Sequence, residues 1–299
     1  MATPIFEGSA VAVVTPFTET GVDFAKLEKL VEFHVQNKTD AIVICGSTGE
    51  ASTMPDEEHL ATIKCCVDAV AGRVPVIAGT GSNDTHHGIN LTKKAIEAGA
   101  DAVLVVTPYY NKCTPEGLYQ HYTAIAKNAD APIILYNVPS RTNVNISPDV
   151  LYRLADHENI VAVKECNFTQ VPEIISKVGD RYALYSGEDA LVVPLMSLGG
   201  SGVISVMANV IPEYTHDMVR AYLDGDTKKA AKMQCDVVPL IKALFSEVNP
   251  IPVKEAMNIL GADVGHCRLP LCDMSAKGHE NLEAVLNQYD VSAVKKFFA

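Results

Sequence analysis

A lysine at the end of an apolar, β-branched run is the first residue here whose surroundings could give it chemistry. Val161-Ala162-Val163-Lys164-Glu165-Cys166 reads as a buried strand with an amine at its mouth. Loss of hydration there lowers the pKa of an ammonium and frees the neutral amine, which can attack a carbonyl and form a Schiff base. The same hexapeptide fits a lysine that merely marks the exposed end of a strand. Its company has to decide between the two.

Tyr136 ends the preceding apolar run, Pro132-Ile133-Ile134-Leu135-Tyr136-Asn137. Parallel neighbours lie about 4.8 Å apart, so a phenol and an amine at equivalent strand ends can meet. A Schiff base needs a proton donor and acceptor beside its nitrogen, and a desolvated tyrosine can serve. Taken alone, Tyr136 would be an amphipathic rim residue with its hydroxyl in water. Gly46-Ser47-Thr48-Gly49-Glu50 is a tight turn with backbone N–H groups and two hydroxyls, suited to a carboxylate oxygen. It is equally an ordinary glycine turn with a capping hydroxyl. The histidines, His86-His87 included, show no metal-ligand spacing, and amine chemistry of this kind needs neither metal nor cofactor.

The elements that must position these residues follow a repeating pattern. Eight apolar runs read as strands: 9–16, 40–45, 74–79, 101–106, 132–137, 160–164, 182–186 and 202–205. Helical periodicity fills the gaps, beginning with Asp23 as the N-cap of the first helix and ending with a helix opened by Pro212. Eight strand–helix units of about 25 to 30 residues predict an α/β fold, a (β/α)8 TIM barrel. Near-continuous apolar strands support a parallel sheet covered on its outer face. No strand-to-helix loop carries G-x-G-x-x-G, and Gly79-Thr80-Gly81 is only a lone G-x-G. Beyond Asp226 the strand signal stops and three helical stretches remain, 227–246, 252–260 and 275 to about 290. Residues 1–225 are therefore expected to form the barrel with the active site, and residues 226–299 a C-terminal all-helical subdomain. Barrel sites lie at the C-terminal strand ends. Those ends also carry Tyr109-Tyr110, Arg141, Ser186-Gly187-Glu188-Asp189 and Ile204-Ser205.

Composition sets outer limits. The chain has 299 residues, 48% of them hydrophobic, and a net charge of -12, which argues against nucleic acid as a partner. No run approaches the roughly 18 apolar residues of a membrane span, and the N-terminus from Met1 lacks the pattern of a signal peptide. The eight cysteines are scattered without a C-x-x-C, as expected of reduced thiols in a cytoplasmic protein.

Across essentially its whole length the chain resembles the dihydrodipicolinate synthase family, within the wider group that includes N-acetylneuraminate lyase. The resemblance rests on Thr15-Pro16-Phe17, Gly46-Ser47-Thr48-Gly49-Glu50, Pro108-Tyr109-Tyr110-Asn111, Tyr136-Asn137-Val138-Pro139-Ser140-Arg141-Thr142, Val163-Lys164-Glu165 and Gly202-Val203-Ile204-Ser205-Val206. It implies that Lys164 forms a Schiff base with pyruvate, whose enamine attacks L-aspartate 4-semialdehyde. Tyr136 would relay protons with Ser47 and with Tyr110 from a neighbouring subunit. Thr48 and the backbone of Ile204 would hold the pyruvate carboxylate, and Arg141 that of the semialdehyde. A relay across an interface implies a homo-oligomer, in this family usually a tetramer built as a dimer of dimers.

Two departures bear on function. Position 47 is Ser where the synthases usually carry Thr, and Gly-Ser-Thr-Gly-Glu is common among the neuraminate lyases, so a sugar-acid aldolase is the alternative enzyme. Arg141 speaks against it, because a polyhydroxylated chain needs no guanidinium there. A silent keto-acid sensor would have no reason to keep Lys164, Tyr136, Tyr110 and Thr48 together. The family's lysine-binding site would fall at Ala51, Ser52, His59, Asn83, His87 and Tyr109. His59, Asn83 and Tyr109 match the inhibited members, whereas Ala51 and His87 do not, and the position of Asp56 is often histidine in them. Weak or absent inhibition by lysine is expected.

Overall fold

The computed structural model describes residues 3–299, so the Met1–Ala2 start of the N-terminal stretch lies outside the described residues. Eight parallel strands close into one barrel in sequence order: β1 (Gly8–Ala12), β2 (Ala41–Ile44), β3 (Val76–Gly79), β4 (Ala102–Val106), β5 (Ile133–Asn137), β6 (Ile160–Glu165), β7 (Ala183–Ser186) and β8 (Gly202–Ser205). The barrel closes where β1 pairs with β8, Ala10 opposite Ile204.

The strands are apolar throughout because both of their faces are buried. Alternate residues point inward or outward. Ala10, Val43, Ile77, Leu104, Ile134 and Ala162 fill the interior with Tyr136 and Tyr185. Val11, Ile44, Val103, Leu135 and Val163 face the surrounding helices. Truncating one of these, Ile44 for example, would cost about 2–5 kcal/mol by the usual cavity argument.

The helices are α1 (Phe24–Gln36), α2 (Asp56–Val70), α3 (Thr85–Glu97), α4 (Pro115–Ala126), α5 (Pro139–Thr142), α6 (Pro148–Leu154), α7 (Val171–Val178), α8 (Val192–Met196) and α9 (Pro212–Leu223). Asp23 caps α1 as expected, accepting from the Lys26 N–H at 3.0 Å. The helical appendix comprises α10 (Thr227–Asp236), α11 (Val238–Leu244), α12 (Ile251–Ile259), α13 (Ala276–Leu286) and α14 (Ser292–Phe298). Its core continues into the barrel: Leu240, Leu244, Met257 and Leu282 pack with Leu30 and Phe33 of α1 and Val219 of α9.

Four details differ from the sequence reading. The stretch 227–246 is two helices, broken at Val237 because Pro239, in the first turn of α11, cannot donate the N–H that a continuous helix needs. A further helix, α14, follows the three read from periodicity and is anchored by buried Val294. A single helical turn, α5, follows β5 at once and carries Arg141. The stretch after Asp189 is a 3-10 turn leading into a five-residue helix that holds Pro194. Among the described residues no helix is long and apolar enough to cross a membrane.

Candidate active site

β5 and β6 set Tyr136 and Lys164 directly opposite each other in register. Both are buried, and the Lys164 ammonium lies 4.3 Å from the centroid of the Tyr136 ring. Burial pushes the Lys164 pKa down from its usual value, with Cys166, Asp189 and Glu188 pulling the other way and Arg141 adding to the fall. A cation over an aromatic face gains about 0.5–2 kcal/mol, which offsets only part of the cost of stripping water from a buried ammonium. Burial also raises the Tyr136 phenol, which a hydrogen bond with Ser47 offsets in part. The register partner of Lys164 on its other side is Tyr185, whose hydroxyl is committed to the Phe6 carbonyl at 2.8 Å. Of the two neighbouring tyrosines, Tyr136 is the one whose hydroxyl meets the polar mouth.

Gly187 gives the lysine its room. A Cβ at this position would lie 2.3 Å from the Cys166 sulfur and 3.2 Å from Lys164 Cε. Ser186 shapes the same turn, its hydroxyl donating to the Glu188 carbonyl at 2.8 Å and accepting the Glu188 N–H at 3.2 Å. Half-buried Glu188 thereby faces the mouth beside Cys166, its carboxyl raised chiefly by burial. Burial pushes the Cys166 thiol up to about 12, so it is a neutral neighbour of the amine.

The turn after β2 is bracketed by two residues in the left-handed region, Cys45 (φ 55°) and Glu50 (φ 55°). Non-glycine residues hold such angles only where their surroundings enforce them. Thr15 donates to the Gly49 carbonyl at 2.8 Å, and Gly79 has no side chain because the Cys45 carbonyl occupies the space a Cβ would need, 2.1 Å away. The G-x-G at 79–81 is therefore a packing device. Ser47 is exposed to the mouth, whereas Thr48 is buried and its hydroxyl accepts from Asn249 Nδ2 at 3.0 Å.

Arg141 stands exposed on α5 and donates to the Asn249 carbonyl at 3.1 Å. Asp189 pins the chain leaving β8, accepting the N–H groups of Val206 at 3.1 Å and Met207 at 2.8 Å. A cavity of about 180 Å³ is lined by Ser47, Thr48, Tyr136, Arg141, Lys164 and Glu188, among others. A larger one of about 460 Å³ shares Ser47, Tyr136 and Arg141 and reaches Ser52, His59 and Tyr109.

Five of the expected residues thus converge on one cavity: Lys164, Tyr136, Ser47, Thr48 and Arg141. Two do not. Ile204 is buried in β8 and lines neither cavity, although Val206, two residues on, does. Tyr110 is 90% exposed on the rim with φ 72° and lines neither within this chain. At the expected lysine-binding positions, Ala51, Ser52, His59, His87 and Tyr109 line the larger cavity, and Asn83 does not. His59 is spent on the Gly79 carbonyl at 2.9 Å, and His87 bridges Asp56 at 2.9 Å and Ser82 at 3.0 Å.

Sequence reasoning places Gly187 and Glu188 at a strand end without giving them a role, and misses Asn249. The first two stood at the end of the seventh apolar run, where position alone marked them for the mouth. Asn249 had no signal, since nothing in a helical appendix tells which residue reaches across to a barrel turn.

The geometry agrees with the comparisons. The model of the Dihydrodipicolinate synthetase family matches residues 5–289. A 4-hydroxy-tetrahydrodipicolinate synthase of Acetivibrio thermocellus is 57% identical over 289 residues, covering 97% of this chain and 99% of the relative. One of Clostridium tetani is 52% identical over 288 residues, covering 95% and 98%. Among solved structures, dihydrodipicolinate synthase from Aquifex aeolicus superposes with a TM-score of 0.93 at 48% identity, covering 96% of this chain and 99% of that one. DHDPS from Cyanidioschyzon merolae, solved with lysine bound, superposes with a TM-score of 0.92 at 40% identity, covering 98% and 99%. With a matching family model over nearly its full length and relatives above half identity, this chain belongs to the dihydrodipicolinate synthetase family.

Proposed function

We infer that this chain is a Schiff-base-forming lyase that condenses pyruvate with L-aspartate 4-semialdehyde to 4-hydroxy-tetrahydrodipicolinate, in lysine (diaminopimelate) biosynthesis. The observation that carries the reading is the buried amine of Lys164 against Tyr136 in a cavity sized for a small keto acid. The neutral amine attacks the pyruvate ketone, and loss of water leaves an iminium ion. Loss of a methyl proton gives the enamine, whose carbon attacks the aldehyde of the second substrate. The amino group of that substrate then attacks the imine carbon, closes the ring and expels Lys164. Protons pass through Tyr136 and Ser47, which line the same cavity. Thr48 holds the pyruvate carboxylate from the cavity wall, the backbone at Ile204 being assigned by the family's pattern although that residue lines neither cavity, and the exposed fork of Arg141 receives that of the semialdehyde.

Tyr110 is exposed and lines neither cavity within this chain, which fits a role supplied to the site of a neighbouring copy. A dimer at least, and a dimer of dimers by family habit, is the assembly proposed, in the cytoplasm. Residues 1–225 act as the catalytic barrel and 226–299 as the helical subdomain. Lysine inhibits weakly if at all, because the Asp56 carboxylate is already engaged by His87; strong inhibition by millimolar lysine would contradict this.

The alternative is an aldolase acting on a sugar acid such as N-acetylneuraminate, favoured only by Ser47. A coupled assay settles the choice. Condensation of pyruvate with aspartate semialdehyde is expected, with little N-acetylneuraminate cleavage. The reverse preference would overturn the assignment.

A further inference from the structure

Glu50 closes the turn that carries Ser47 and Thr48 and lines the larger cavity, yet its carboxylate is bound into the helical appendix. It is 2% exposed. Its Oε1 accepts from Lys254 Nζ of α12 at 2.9 Å, and its Oε2 accepts the backbone N–H of Arg268 at 2.8 Å. Lys254, also 2% exposed, donates a second time to the His266 carbonyl at 2.7 Å. Phe17 is a common wall for the cations, with Lys254 Nζ 4.6 Å and the Arg268 guanidinium 3.9 Å from its ring centroid. Arg268 in turn forks onto Glu58 at 2.5 and 2.7 Å.

A fully buried ion pair is a poor way to gain stability, because stripping water from both charges offsets most of their attraction. Apolar side chains would hold the appendix to the barrel as well. What a charged pair adds is direction, since it fixes where the backbone of each partner must sit. Here the backbone being fixed is Glu50 at φ 55°, one residue past Gly49. The same segment of the appendix reaches the turn again through Asn249, five residues before Lys254, which donates to the Thr48 hydroxyl. Two ties, one from the turn before α12 and one from α12 itself, thus converge on the turn that presents both hydroxyls.

We propose that Glu50 and Lys254 are positioning residues: their buried pair sets the Gly46–Gly49 turn so that Ser47 and Thr48 meet the pyruvate bound at Lys164. The C-terminal helices then belong to the pyruvate subsite and do more than cover the barrel. This rests on the Schiff-base reading above. The aldehyde subsite, centred on Arg141 of α5, meets the appendix at the Asn249 carbonyl and is not hydrogen-bonded to Glu50 or Lys254.

The test compares wild-type protein with E50Q/K254M, which removes both charges at similar volume, and with E50D, which keeps them but draws the carboxylate back by one methylene. Steady-state kinetics are read for each substrate separately, with borohydride trapping at saturating pyruvate. Misplacement of reacting groups by an ångström costs up to about a hundredfold, so both variants are expected to show a pyruvate KM raised about tenfold and a reduced kcat. KM for the semialdehyde stays within about twofold of wild type, because Arg141 is hydrogen-bonded to neither Glu50 nor Lys254. Lys164 is still trapped at saturating pyruvate. Unchanged pyruvate KM and kcat per folded chain would overturn the proposal whatever happens to the melting temperature, and so would parallel rises in both KM values. Should E50Q/K254M fail to fold, E50D decides by the same criteria. Absence of an adduct in the wild-type protein would instead refute the Schiff-base reading, which keeps the two failures apart.

Discussion

Tyr136 and Lys164 are register partners on adjacent parallel strands, and the amine lies over the face of the phenol ring 4.3 Å from its centroid. The pairing places a potential proton carrier beside the nitrogen without any loop having to move. It also makes the tyrosine hydroxyl separable from its ring. Tyr136→Phe keeps the buried ring and removes only the hydroxyl, so kcat is expected to fall about 10²- to 10⁴-fold with the fold intact. Steady-state kinetics beside a circular dichroism spectrum check this, and a loss below about tenfold would mean protons travel by another route.

Arg141 should divide the two substrates. It is exposed at the mouth on α5, outside the strand pair that carries the amine. Hydrogen bonds to charged groups contribute about 1.5–3 kcal/mol, so Arg141→Ala should lower kcat/KM for the semialdehyde roughly 10- to 100-fold. Pyruvate-dependent trapping of Lys164 should stay near wild type. Equal losses on both substrates would contradict a role confined to the second carboxylate.

Gly187→Ala is a steric test of the lysine's placement. The added Cβ would sit 2.3 Å from the Cys166 sulfur and 3.2 Å from Lys164 Cε, too close for either to remain. Activity should fall by about tenfold or more through displacement of the amine. Removing the sulfur in G187A/C166A should return part of it. A fully active G187A would show that the amine tolerates displacement.

Acid should weaken the fold through buried imidazoles. Burial pushes His34 down to about 3 and His121 down to about 4. Unfolded histidines take up protons near pH 6.5, so stability is full above that pH and is lost as pH falls towards the folded values. His34 alone should cost about 2 kcal/mol between pH 6.5 and pH 5. Two groups run the other way. Glu165, pushed up to about 7 by burial despite several hydrogen-bond donors, contributes stability below about pH 4.5 that is lost as pH rises through 7. His216, raised chiefly by its hydrogen bond to Asp40, contributes below pH 6.5 and loses it on going up. Urea unfolding of wild type and His34→Leu at pH 7 and pH 5 isolates the contribution of His34. The variant should lose less stability on acidification, and identical slopes would contradict the assignment.

The barrel could be read from the chain because each strand, buried on both faces, writes itself as a continuous apolar run, and barrel geometry then dictates where Lys164, Tyr136 and the Gly46–Gly49 turn must gather. What could not be read depends on contacts distant in sequence. Asn249 meets Thr48 across 201 residues and Lys254 meets Glu50 across 204. No local pattern carries such pairings. The break between α10 and α11 was visible in Pro239 but overridden by helical periodicity on both sides. Tyr110 was assigned a role in a neighbouring copy, a position no single chain specifies.

The measurement that tests the account most directly is borohydride reduction in the presence of pyruvate, followed by peptide mapping. One pyruvate-derived adduct is expected, on Lys164, with activity lost in proportion to labelling and no adduct in Lys164→Arg. An unmodified Lys164 in protein that remains fully active would contradict it.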